Sequence, residues 1–162
     1  MPSFCGYAAD KGEAIAKLLR YSEKMRTSCE YYGIVAEEGV GLCAAAPFSY
    51  PLPFRQRFGR RPLLAVCLGT PHPKRAPRLF SYQPEKMLLT TYFCDGPRGI
   101  ERTFEGDFSL VIQDVARRRL FLAAFGENKL FIGEEAGVFW FSSQPIAPCT
   151  VQIEKGLYRL RR

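Results

Sequence analysis

The sequence predicts a single α+β domain, rich in short strands, with one good helix near its start. Three observations predict it. From Asp107 onward the chain is almost entirely short apolar runs separated by turn signals. Upstream, one segment carries apolar residues at helical spacing. The 162 residues contain 47% hydrophobic and 24% charged side chains, enough for one core, and neither a repeat nor a linker divides residues 1–162.

The elements follow in order. Ser3 to Ala9 reads as a strand. Asp10 is a candidate cap for a helix running to about Met25, whose apolar face is Ala14, Ile15, Leu18, Leu19 and Met25. Tyr31 to Ala36 and Val40 to Ala46 read as two strands of a hairpin turning at Glu37-Glu38-Gly39. Pro47 to Pro62, with four prolines and four arginines, reads as a loop. Leu63 to Leu68 is a buried-strand pattern, Thr70 to Arg78 a second proline-rich loop, and Met87 to Cys94 another strand ended by the turn Asp95-Gly96-Pro97. The remaining strands are Phe108–Ile112, Arg119–Phe125, Lys129–Ile132, Val138–Phe141, Thr150–Ile153 and Leu157–Leu160.

Composition narrows the function classes. No apolar run is long enough to span a membrane, and the start lacks the basic and apolar regions of a signal peptide. A soluble, cytoplasmic protein is the expectation. None of the six cysteines forms a Cys-x-x-Cys pair. Most sit in apolar surroundings, as buried free thiols do, which suits a reducing compartment. His72 is the only histidine, so the spacing supports no metal site. No cofactor is expected. The net charge of +7 comes largely from clusters: Arg55, Arg57, Arg60 and Arg61; Lys74, Arg75 and Arg78; Arg117 to Arg119; Arg159, Arg161 and Arg162. Such clusters attract nucleic acid or another polyanion. They fall at predicted turns and the tail, not along one helix face, and solvated loops are the plainer reading.

Two stretches resemble a known family. Phe104-Glu-Gly-Asp-Phe-Ser-Leu-Val-Ile-Gln-Asp114, then Arg119 to Gly126, Lys129 to Gly133 and Phe139-Trp-Phe-Ser-Ser143 resemble successive strands of class II glutamine amidotransferases. Asparagine synthetase and glucosamine-6-phosphate synthase carry such domains. Cys5-Gly6-Tyr7 resembles the family's Cys-Gly-Ile opening. The resemblance implies the Ntn-hydrolase architecture: two stacked antiparallel sheets between helices. It also implies Cys5 as candidate nucleophile, attacking the side-chain amide of glutamine, with its own α-amine as base. An α-amine titrates near neutrality, at about 7.7–8.0, so it can take and return a proton. That chemistry requires Cys5 to be the first residue; with Met1 to Phe4 ahead of it, its nitrogen is a peptide amide.

Other features depart from the family pattern. Tyr82-Gln83-Pro84 followed by Asp95-Gly96 resembles the stretch carrying the oxyanion-hole Asn-Gly, with Asp95 in place of Asn. An ionised Asp only accepts hydrogen bonds. Losing one oxyanion donor costs about 10²–10³ in rate. The plainer reading of Asp95-Gly96 is a turn. Leu68-Gly-Thr-Pro-His72 lacks the Arg with which the family holds the glutamine carboxylate; Lys74 and Arg75 are nearby substitutes. Only Pro97 to Thr103 stand where the family has several dozen residues, with helices and an acidic residue that recognises the glutamine amine, so one helical layer is expected to be reduced. The sheet face so uncovered would cost roughly 25 cal/mol per Å² exposed, so a partner chain or second copy is expected to cover it.

Three functions follow, in this order: a degenerate amidotransferase-like subunit or scaffold; an active glutaminase that uses Cys5 once residues 1–4 are removed; a basic module binding nucleic acid or another polyanion.

Overall fold

Strands dominate because most apolar runs here are short, and many are buried on both faces. The computed structural model describes residues 2–9, 14–26, 29–46, 53–75 and 84–161. Its six-stranded antiparallel sheet contains β1 (Ser3–Ala9), β2 (Tyr31–Glu37), β3 (Val40–Ala46), β10 (Leu130–Glu135), β11 (Val138–Ser142) and β12 (Val151–Ile153), in the order β12-β10-β11-β1-β3-β2. The five-stranded sheet contains β4 (Phe54–Phe58), β5 (Arg61–Gly69), β8 (Phe108–Asp114), β9 (Arg119–Phe125) and β13 (Gly156–Arg161), in the order β13-β9-β8-β5-β4. A ribbon joins β6 (His72–Pro73) to β7 (Phe104–Glu105).

Side chains alternating along each strand define the layers. On β1, Phe4 and Ala8 enter the core between the sheets, where they join Leu42, Leu64, Val66, Val111 and Phe141. Cys5, Tyr7 and Ala9 point the other way, into a cluster with Leu18 of helix α1 (Ile15–Arg26). On the five-stranded sheet, Leu63, Ala65, Leu110, Ile112 and Phe121 face outward. There they meet Leu88, Leu89 and Tyr92 of helix α2 (Pro84–Asp95) and Ile100 of helix α3 (Pro97–Thr103). The molecule is thus layered helix, sheet, sheet, helix, the α+β Ntn-hydrolase-like arrangement of stacked antiparallel sheets that the family resemblance implies.

The structure corrects four expectations. Met87 to Cys94 is not a strand but the body of α2. Its buried residues Leu88, Leu89 and Tyr92 are spaced to share one face of a helix, which a strand would not allow. The expected loop from Pro47 to Pro62 contains the hairpin β4–β5, with Phe54 and Phe58 alternating with arginines on an edge strand. Likewise His72–Pro73 pairs with Phe104–Glu105 inside the second expected loop. Finally, the helical layer around Asp95-Gly96 is occupied: α2 and α3 flank that dipeptide and cover the outer face of the five-stranded sheet. The layer with a single described helix lies instead over the six-stranded sheet. Asp10, the expected cap of α1, lies outside the described residues.

Glycine is required at two points of this scaffold. A Cβ on Gly6 would sit 2.5 Å from the Gly41 carbonyl oxygen and equally near the Phe141 ring. Gly106 has φ +110° in the bend before β8, where a Cβ would lie 2.5 Å from the Thr70 carbonyl oxygen. Its role is to let two backbones meet at a bend.

Candidate functional site

Strand β1 is interior to its sheet, paired with β3 on one side and β11 on the other. Cys5 lies directly opposite Cys43 and Ser142 in that register. Its thiol is buried and rests 3.2 Å from the Cys43 thiol. The hydrogen bond with Cys43 raises the Cys5 pKa well above its ordinary value, and burial adds to the shift. A thiol held protonated is a poor nucleophile.

The residues before Cys5 continue the same strand. Ser3 and Phe4 pair with Ala45 and Ala44. The Phe4 ring lies in the inter-sheet core. The Phe4 N–H donates to Ser143 Oγ, and its carbonyl accepts from the Ser143 N–H and from Ser142 Oγ. The Cys5 nitrogen is therefore an amide in the middle of a sheet.

Near this strand, a cleft of about 560 Å³ is lined by Ser3, Tyr21, Lys24, Met25, Gln144 and Ile146. Ser3 shares the Cys5 face of β1, two residues upstream. This cleft thus meets Ser3 and Gln144, which the sequence reading did not single out. The signal was present in the two-residue period of β1. Trp140 closes the other side of the cluster around Cys5, with Tyr21 edge-on at 5.2 Å and Lys17 over its ring.

The other expected site residues are elsewhere. Asp95 is exposed and Gly96 joins α2 to α3 on the outer face of the five-stranded sheet. Cys5 faces α1, beyond the opposite sheet. Both sheets therefore stand between Cys5 and Asp95-Gly96, and the structure does not bring them together. Asp95 lines a shallow cleft with Arg98, Glu101, Leu157 and Arg159. Lys74 is engaged at the end of α3: its ammonium donates to the Glu101 carbonyl and its backbone N–H to the Thr103 carbonyl. Such contacts satisfy carbonyls that a helix end leaves open. Among the described residues, no group of three His, Cys, Asp or Glu side chains is placed to hold a metal, and no helix is long and apolar enough to cross a membrane.

No protein-family model matches the chain, and no curated protein matches it. Solved structures do. The glutamine phosphoribosylpyrophosphate amidotransferase from B. subtilis, complexed with ADP and GMP, superposes with a TM-score of 0.60 at 12% identity. A structure described as the allosteric regulatory enzyme of purine biosynthesis gives 0.61 at 13%. Each match covers 99% of this chain and 49% of the other, so the chain spans about half the length of these structures. At such identity the likeness shows the fold alone, an Ntn-hydrolase-like arrangement of stacked antiparallel sheets.

Proposed function

We propose that this chain is a glutamine amidotransferase type 2-like domain that works as a catalytically degenerate subunit or scaffold of a larger assembly. The observation that carries the reading is the state of Cys5. Its thiol is packed 3.2 Å from Cys43 beneath α1, and its nitrogen lies inside β1. Freeing a Cys5 amine would require cutting the strand and removing Phe4 from the core between the sheets. The distance between Cys5 and Asp95-Gly96 supports the same reading, since an oxyanion donor must lie within hydrogen-bond reach of the reacting atom.

The test is glutamine hydrolysis by the purified full chain, together with the intact mass of the chain from its native source. No ammonia release, and no change on Cys5→Ala, is the expected result. A native chain beginning at Cys5, with turnover lost on Cys5→Ala, would instead establish an active glutaminase.

A partner chain remains part of the proposal. In the solved structures this fold accounts for about half of a longer chain, so a further structural unit works beside it there. The described residues offer exposed apolar side chains near strand edges, Tyr31 on β2 and Val151 on β12. The contact is therefore sought at edges rather than on a bare sheet face. The free thiols suit a reducing, cytoplasmic setting.

A further inference from the structure

We propose that one end of the five-stranded sheet binds the phosphate backbone of a nucleic acid. The pairing register brings there arginines that are far apart in sequence. Phe58 pairs with Arg61, so Arg57 and the turn residue Arg60 sit at the end of β4. Leu63 pairs with Asp114 and Asp114 with Arg119. This places the β8–β9 turn, with Arg117 and Arg118, beside the β4–β5 turn. Arg161 pairs with Arg119, so β13 ends at the same rim, two residues beyond Arg159.

The balance of charge at this end is one-sided. Asp114 is the only carboxylate on these five strands; it is fully buried and paired with Arg61. Arg55 is held by Glu37 at 2.5 Å. Arg57, Arg60, Arg117 and Arg118 are exposed and enter no ion pair among the described residues. Asp95 and Glu101 line the cleft beside Arg159 and mark the limit of the row. At the other end of the sheet, Asp107, Glu127 and Glu154 lie among Lys129 and Lys155.

Strands spaced about 4.8 Å apart make the row roughly 15–20 Å wide. Clustered guanidinium groups repel one another unless an anion lies among them. Each presents a planar fork suited to phosphate. A nucleic acid backbone offers closely spaced charges along a line of this length. An acidic protein segment would want an apolar anchor at the centre of its contact. The exposed ring beside the row, Phe93, is already stacked on Phe58 at 4.3 Å and covered by the Arg61 guanidinium.

The test is fluorescence anisotropy with the full chain and labelled mixed-sequence duplex DNA or RNA, across a salt series. Binding at low salt should fall with a log–log slope of about −3 to −4, as contact with roughly four phosphates requires. Arg60→Glu/Arg117→Glu should weaken binding by about tenfold or more, whereas Lys129→Glu/Lys155→Glu, with the same charge change at the far end, should leave it within about twofold. Equal loss in both doubles would reduce the effect to net charge and overturn the site. No binding at low salt, or tighter binding of polyglutamate than of nucleic acid at equal charge, would also overturn it. If the Glu double melts below the parent chain, Arg60→Gln/Arg117→Gln against Lys129→Gln/Lys155→Gln carries the same comparison at equal charge change.

Discussion

At the residue scale, close approach and burial decide most outcomes. Gly6 faces the Gly41 carbonyl and the Phe141 ring, and a backbone oxygen between two strands cannot yield cheaply. Gly6→Ala should therefore cost about 2–3 kcal/mol in chemical denaturation, the range of core overpacking. Asp114 accepts from the Arg61 guanidinium and the Arg117 N–H. Asp114→Ala strands a partly buried cation and should cost about 3 kcal/mol. Burial pushes the Cys67 thiol up to about 12 from 9.0. Above 9.0 the unfolded chain loses this proton while the folded chain keeps it, so stability present at lower pH is lost as pH rises. The slope for one such thiol is about 1.4 kcal/mol per pH unit across that window. Melting followed from about pH 8 to 11 should show it, and Cys67→Ala should make the decline shallower, leaving the part due to the raised Cys5 and Cys149 thiols. The sequence already had most of the cysteines in apolar surroundings, as in Leu64-Ala-Val-Cys67-Leu68. It did not reveal that Cys5 meets Cys43 across a pairing, because that contact depends on register.

At the scale of elements, β1, the β2–β3 hairpin and the strands after Asp107 were legible, since apolar runs and turn residues mark them directly. Helix α2 was not. Met87-Leu-Leu-Thr-Thr-Tyr-Phe-Cys94 is rich in β-branched and aromatic residues, and propensity favours a strand. Packing against Leu63, Ala65 and Phe121 overrides that preference. The start signals were nevertheless present: Pro84 opens the helix and Glu85 lies in its first turn. Thr90 is exposed in the middle of α2. Thr90→Pro should cost about 3 kcal/mol or more and reduce far-UV helical signal, whereas a surface strand would lose no helical signal. Because the Asp95-Gly96 expectation assumed a preceding strand, the change of element is also what carried that dipeptide to the opposite layer.

At the scale of the whole molecule, the resemblance in Phe104 to Ser143 correctly anticipated two stacked sheets between helices. It could not anticipate how the layers separate expected site residues, because separation arises only when strands are ordered in space. The arginine row illustrates the converse. Arg60 and Arg117 are remote in sequence and adjacent in strand order, so clusters that read as scattered turns become one rim. The proposed scaffold role also carries a prediction at this scale. Sedimentation of the chain with extracts of its source should recover it in a larger species that survives Cys5→Ala, because the assembly uses the surface and not the thiol.

The position of β1 imposes an order on folding. It is made before the other strands described, yet one of its two neighbours, β11, is more than a hundred residues away. At about 5–20 residues per second, roughly 7–30 s of synthesis separate the two. During that interval β1, β2 and β3 can pair, but the other edge of β1 stays open. The C-terminal third thus acts as a closing clasp: the six-stranded sheet is completed only when the late hairpin reaches back to the chain's beginning. Contacts of such long range slow folding, and truncation within β11 should leave the early strands with a free, aggregation-prone edge.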